Sequence, residues 1–180
     1  NPLNGSDFSL LRIDVVEQND SPVIEIPTSL VNVIPMDELE SIVTRLIQIS
    51  PENMMTGSVT GPFQFNGESF NMDIINQTVE LGNTEIWEIN NMSMIAHPFH
   101  IHDVQFYILD RDGVIPPENE RGRKDVVLVK HMETVRFITK FEDFADDEVP
   151  YMYHCHMLQH EDNGLMGQFI VHTDQNDIIL

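Results

Sequence analysis

The sequence predicts an all-β sandwich. Short runs rich in β-branched and aromatic residues recur along the chain, separated by Gly, Pro, Asn and Asp turn signals. No stretch of helical period interrupts them. At 180 residues and 41% hydrophobic content, the chain can bury a sizeable core as one ordinary domain, with an added tail.

Residues 8–16 (FSLLRIDVV) read as a strand that needs a partner sheet. Residues 17–35 carry Asn19-Asp20-Ser21-Pro22, Pro27 and Pro35 and read as a surface linker, with a brief strand at 23–26. Residues 36–40 start a helical turn, with acids near its N-terminus. Residues 44–49 alternate like a strand, and 50–62 form a loop holding Met54 and Met55. Short strands follow at 63–66, 70–74 and 78–81. Residues 84–90 alternate well, burying Ile86 while Trp87 faces elsewhere in core or edge packing. Strands are expected at 104–109, 125–129, 134–139 and 167–171. Residues 110–113 are a turn, 115–123 a polar loop, 141–149 an acidic loop and 174–180 a tail.

Charge narrows the range of partners. Nine basic residues stand against 30 acidic ones, a net charge of −21. Phosphate binding needs Lys and Arg, so nucleic acid is not expected as a partner, nor is an anionic membrane surface. No apolar run is long enough to span a bilayer. The single cysteine, Cys155, allows no intrachain disulfide.

That cysteine sits in the densest chemistry of the chain, residues 151–167 (YMYHCHMLQHEDNGLMG). His154 and His156 flank it and His160 follows. A second segment, 97–102 (HPFHIH), holds His97, His100 and His102. Six of the eight histidines therefore lie in two short segments, one of them around the thiol. Imidazole and thiolate suit soft and borderline transition metals, and two His with one Cys make a trigonal blue-copper site. If 151–156 is extended, His154 and His156 point one way and Cys155 the other. His100 and His102 repeat the alternation. One face of two strands then offers four imidazoles, while Cys155 looks toward a different metal. His131 and His172 read as solvated.

HPFHIH and HCHMLQHEDNG resemble the two C-terminal copper motifs of multicopper oxidases, the family of laccases, bilirubin oxidases and copper-efflux oxidases. Similarity also runs through FQFNGESFNMD and RGRKDVVLV. The resemblance implies a Greek-key cupredoxin β-sandwich at 36–180, with 1–35 the tail of a preceding cupredoxin domain plus linker. It implies that His97, Cys155 and His160 hold a type 1 copper, His100 a type 2 copper, and His102, His154 and His156 the type 3 pair. Cys155 and Glu161 would be the catalytic residues, Glu161 as the carboxylate that passes protons to reduced oxygen. At the axial position of the type 1 site bacterial oxidases usually have Met. Here Leu165 stands there as a non-ligating residue, with Met166 next to it as the alternative.

The implied activity is oxidation of a phenol, aromatic amine or metal ion, coupled to reduction of O2 to water. The short 50–62 connection, with two Met, departs from the long Met-rich insertion of cuprous oxidases. The other reading is a non-enzymatic blue-copper module for electron transfer or copper binding, which leaves four histidines without a role. The chain starts without Met or a signal-peptide core and has one separate His-x-His. It is therefore expected to be the C-terminal piece of a longer protein, whose N-terminal cupredoxin domains supply the rest of a three-copper cage. By the family, an extracytoplasmic or cell-envelope location is expected.

Overall fold

The computed structural model describes residues 9, 11–17, 20–21, 24–28 and 34–173. The chain divides into two units, Asn1–Asn32 and Val33–Leu180. In the first unit the described residues form neither strand nor helix. Leu11, Ile13, Val15 and Val16 are exposed there, so the strand expected at 8–16 is not seen; Phe8 and Leu10 lie outside the described residues. A strand is held by a neighbour's hydrogen bonds, and among the described residues none pairs with this segment. The strand expected at 23–26 is also missing from described residues 24–26, and the tail at 174–180 lies outside the described residues.

The second unit is a sandwich of two five-stranded sheets. One sheet runs, in spatial order, β2 (Phe63–Phe65), β1 (Val43–Pro51), β4 (Thr84–Asn91), β8 (Thr134–Lys140) and β6 (Tyr107–Arg111). The other runs β3 (Gln77–Glu80), β10 (Met166–His172), β9 (Asp146–Cys155), β5 (His97–Ile101) and β7 (Val126–Val129). Spatial neighbours are mostly not sequence neighbours, as the expected Greek-key sandwich requires. The turn expected at 36–40 is a single 3-10 turn, Glu38–Glu40, capped by the Asp37 carboxylate, which accepts the Leu39 N–H at 2.9 Å.

Alternation places the core between the sheets. Ile47, Ile49, Trp87, Ile89, Val135 and Phe137 from the first sheet meet Phe99, Ile101, Tyr153 and Phe169 from the second. Trp87 is fully buried, its ring edge-on to Tyr153 at 5.6 Å, and it takes the main core that Ile86 was expected to take. Ile86 instead packs on the opposite face with Tyr107 and Ile138. Gly167 lies opposite Tyr153 and makes room for its ring, since a Cβ there would sit 2.3 Å from Tyr153 Cζ.

Arg45, paired with a buried carboxylate in its own sheet, ties the two sheets at one end. Arg45 sits beside Trp87 in the parallel β1–β4 register and donates from Nε and Nη2 to Glu85, at 2.6 and 2.8 Å. It also donates to Gln77 Oε1 and the Thr78 carbonyl on β3 of the other sheet. Glu85, 1% exposed, also accepts the Trp87 indole N–H at 3.1 Å.

Four expectations are corrected. Residues 70–74 form a turn, because the Asn71 side chain accepts the Asp73 N–H and its carbonyl accepts the Ile74 N–H. The strand expected from 104 starts later, at Tyr107, because Asp103 takes φ 71° and the Val104 N–H bonds back to the His102 carbonyl. The acidic loop is shorter than expected, because β9 begins at Asp146, which pairs with Val171 across a bulge. One short α-helix forms among the described residues, α1 (Leu158–Asp162), within the second histidine segment.

Arg45→Met leaves the Glu85 charge buried without its partner and is expected to lower stability by about 3–5 kcal/mol, with part recovered in Arg45→Met/Glu85→Gln. Urea unfolding of both variants checks this. Burial pushes the Tyr153 phenol up to about 12 from its usual 10. The folded state therefore holds the Tyr153 proton more tightly than the unfolded state. Its contribution, about 3 kcal/mol, is fully present below pH 10 and lost as the pH rises toward 12. Unfolding between pH 9 and about 12 should show this loss, and Tyr153→Phe should remove that part of the pH dependence.

Candidate metal centre

Strands β5 and β9 pair antiparallel, with Phe99 opposite Cys155 and His100 opposite His154. Directly paired residues share a face of the sheet. Phe99 belongs to the core, so Cys155 turns inward with it, and His97, two residues before Phe99, does the same. His100 and His154 lie on the opposite face. Helix α1 brings His160 back against the inward group.

The inward group is His97, Cys155 and His160, with exposures of 0%, 0% and 8%. His97 Nδ1 and His160 Nδ1 each lie 3.6 Å from Cys155 Sγ. A first-row ion roughly 2.1 Å from nitrogen and 2.3 Å from sulfur, at trigonal angles, would separate N from S by about 3.8 Å. The donor set and its spacing therefore fit one soft or borderline transition metal. Phe63 seals the group edge-on, 4.6 Å from the His97 ring and 4.9 Å from the His160 ring.

Burial sets the electrostatics. It lowers His97 to about 4, helped by repulsion from His160, and it also lowers His160. Both nitrogens are thus available to a metal at neutral pH. Burial pushes the Cys155 thiol up to about 11. A cation at Sγ reverses this, because a coordinating thiol gives up its proton.

Leu165 is fully buried in the same cluster as Cys155. Its carbonyl accepts the Cys155 N–H at 3.1 Å, and its N–H donates to the His160 carbonyl at 3.0 Å. Met166 pairs with His154 and so lies on the other face. Leu165, not Met166, shares the buried cluster with Cys155.

The second group is His100, His102 and His154, with one ligand nitrogen from each within 4.8 Å of the others. His102 Nε2 and His154 Nε2 approach to 3.3 Å. His100 Nδ1 bonds the Asp125 carbonyl at 2.7 Å, leaving Nε2 free. His154 Nδ1 lies 3.2 Å from the Cys155 carbonyl and 3.3 Å from Glu161 Oε2, which turns its Nε2 likewise outward. Burial lowers His102, and the nearby His100 and His154 imidazoles lower it further. His156 stands at the exposed rim, its ring 5.5 Å from His100 and 5.6 Å from His154, outside the converging three. His100 and His102 line an open cleft of about 530 Å³ with Asp103, Asp125 and Tyr151. Helix α1 thus serves both groups, through His160 and the adjacent Glu161. His131 is exposed and His172 half-buried, and neither belongs to the two groups.

The family model for multicopper oxidases matches residues 43–175. The chain belongs to the multicopper oxidase family. A multicopper oxidase of Staphylococcus haemolyticus is 42% identical over 110 residues, which is 59% of this chain and 24% of that protein. A laccase of Haloferax volcanii is 39% identical over 156 residues, 84% of this chain and 26% of that protein. Among solved structures, a laccase-like multicopper oxidase from Ochrobactrum superposes with TM-score 0.71 and 33% identity, over 82% of this chain and 34% of that one. A Campylobacter jejuni multicopper oxidase described as a metallo-oxidase does so with TM-score 0.68 and 29% identity, over 85% of this chain and 34% of that one. The chain spans about a quarter of the curated relatives and a third of the solved ones. Multicopper oxidases use copper, a metal that suits both donor sets.

Reading the sequence missed the partners that aim the imidazoles. Ser93 Oγ lies 2.8 Å from His97 Nε2, and both residues are fully buried. The available signal was the Asn91-x-Ser93 spacing just after an alternating strand, a common turn pattern. The Asp125 carbonyl carried no signal in sequence, because any residue supplies one.

Proposed function

We propose that this chain is the C-terminal part of a laccase-like oxidase, with residues 1–35 the end of a preceding cupredoxin domain and its linker. His97, Cys155 and His160 would hold type 1 copper, His100 type 2 copper, and His102, His154 and His156 the type 3 pair. The observation that carries this reading is the pairing of two ligand groups back to back, joined by the consecutive residues His154 and Cys155. Bound copper would supply one-electron oxidation of a donor at the buried group and four-electron reduction of O2 to water at the imidazole group.

The chain's own residues divide the remaining work. His97 and His160 turn Nδ1 toward Cys155 Sγ. Phe63 and Leu165 exclude water from that group. His160, the only one of the three with any exposure, gives the donor its approach. Cys155 is bonded through the backbone to His154 on one side and His156 on the other, the shortest covalent link between the groups. Glu161 places Oε2 3.3 Å from His154 Nδ1 and at 27% exposure reaches solvent, so it is suited to relay protons.

Four imidazoles on an open face favour an oxidase over a simple electron carrier. The missing ligands would come from N-terminal cupredoxin domains of the same protein. A phenol, aromatic amine or metal ion is the proposed donor, and an extracytoplasmic or envelope setting the proposed location. No helix among the described residues is long and apolar enough to cross a membrane.

The test is Cu(II) loading of the full-length protein, followed by visible and EPR spectra and oxygen uptake with a phenol. An intense thiolate-to-copper band is expected, and Cys155→Ser should abolish it. Glu161→Gln should keep the band while slowing oxygen uptake by about a hundredfold. No band in the wild type would sink the proposal. A band without oxygen uptake would leave a blue-copper carrier instead. Leu165→Met would add an axial thioether and is expected to lower the reduction potential of the buried site, as read by redox titration.

A further inference from the structure

His97 is aimed by a chain of hydrogen bonds whose direction is set at its far end. Asn91, 1% exposed, places Nδ2 2.8 Å from the Ile95 carbonyl, 2.8 Å from that of Lys130 and 3.3 Å from that of Val129. Carbonyls only accept, so the amide cannot be turned over without setting oxygen against oxygen. Asn91 Oδ1 must therefore face Ser93, where it lies 2.9 Å from the N–H and 2.8 Å from Oγ. The Ile95 carbonyl, 3.1 Å from Ser93 Oγ, is a second acceptor. Were the one hydroxyl proton of Ser93 given to His97 instead, Oγ and Asn91 Oδ1 would face each other at 2.8 Å with no proton between them, so it is committed away from His97. Toward His97 Nε2, 2.8 Å away, Ser93 has only a lone pair to offer. Nε2 must then carry the proton, which leaves Nδ1 as a bare lone pair 3.6 Å from Cys155 Sγ. The carbonyls that begin the chain are themselves held, because Glu133 accepts the Lys130 N–H at 2.6 Å and binds Arg111 at 3.0 Å.

We propose that Asn91 and Ser93 are positioning residues that lock His97 in the Nε2–H tautomer and orientation needed to bind a metal through Nδ1. This deepens the copper reading and rests on it, yet the tautomer belongs to the metal-free protein and is read separately. His160 is treated differently: among the described residues the hydrogen-bond partner found for its imidazole is Cys155 Sγ. The lock is therefore specific to the buried side of the site. Partners of this kind commonly change metal affinity by about 10–100-fold when removed.

The experiment uses the full-length protein, labelled with 15N-histidine and free of copper, with the His97 signals identified by their loss in His97→Gln. The expected spectrum is a neutral imidazole protonated at Nε2, and protonation at Nδ1 would overturn the proposal whatever the variants do. In Ser93→Ala, His97 should populate both tautomers and Cu(II) affinity at the buried site should fall about 10–100-fold. Ser93→Thr, which keeps the hydroxyl, should restore both. An unchanged tautomer, Cu(II) affinity and visible band in Ser93→Ala overturn the proposal, and so does equal loss in both variants, the mark of disturbed packing alone. If Ser93→Ala does not fold, the wild-type spectrum still decides. A wild type with the expected tautomer but no blue band would defeat the copper assignment alone.

Discussion

The register between β5 and β9 is the constraint on which the rest depends. Side chains alternate across a strand, so a slip of one residue would exchange every inward group for an outward one. Phe99 opposite Cys155 and His100 opposite His154 is a register that keeps Phe99, Ile101 and Tyr153 in the core, as a slip of one residue would not. Burying a large apolar side chain is worth about 1.5–3 kcal/mol, so three of them hold that register firmly. The same choice sends His97 and Cys155 inward and His100 and His154 outward. Hydrophobic packing thereby sorts the histidines, with no contribution from any metal.

Once sorted, the imidazoles are aimed by groups outside the two donor sets. Backbone carbonyls of Asp125 and Cys155 take the Nδ1 side of His100 and His154. Ser93 takes the Nε2 side of His97, which leaves the other nitrogen for the site. The bonds of His97 and His154 lie in a buried setting where an unpaired polar group costs about 1–3 kcal/mol, so those two rings have little freedom to turn. The two groups accordingly use opposite nitrogens: Nδ1 toward the thiol within the core, Nε2 toward the open face. A single turn of helix links them, with His160 directed at the thiol and Glu161 at His154.

The asymmetry of burial matches the division of labour proposed for the two groups. The thiol group is closed by Phe63 and Leu165, which suits a site that trades electrons without binding substrate. The imidazole group opens onto a cleft, with His156 at its rim. The matched part of this chain covers 26% of the Haloferax laccase and 34% of the Ochrobactrum structure, and the open imidazole face suits the proposed sharing of its centre with other domains.

Much of this was legible in sequence. Turn signals and short β-branched runs were enough for the sandwich, because strand periodicity is local. The alternation HxH and HCH already implied two ligand faces, and the motif spacing already pointed to multicopper oxidases. Resemblance to the family's motif assigns Leu165 the axial position; in the structure it is buried in the cluster that holds Cys155, and Met166 pairs with His154. Other features depended on residues distant in the chain. Glu85 is buried because Arg45, forty positions earlier, lies beside it. Trp87 rather than Ile86 enters the main core because Gly167 and Tyr153 shape the space it fills. Ser93 matters because the carbonyls of residues 129 and 130 orient Asn91. The sequence by itself determined most strands of the sandwich, the residue types gathered at its two His groups and the family, since these rest on local pattern. Only the tertiary structure decided which nitrogen of each imidazole faces the site, because that depends on hydrogen-bond partners brought in from elsewhere in the fold.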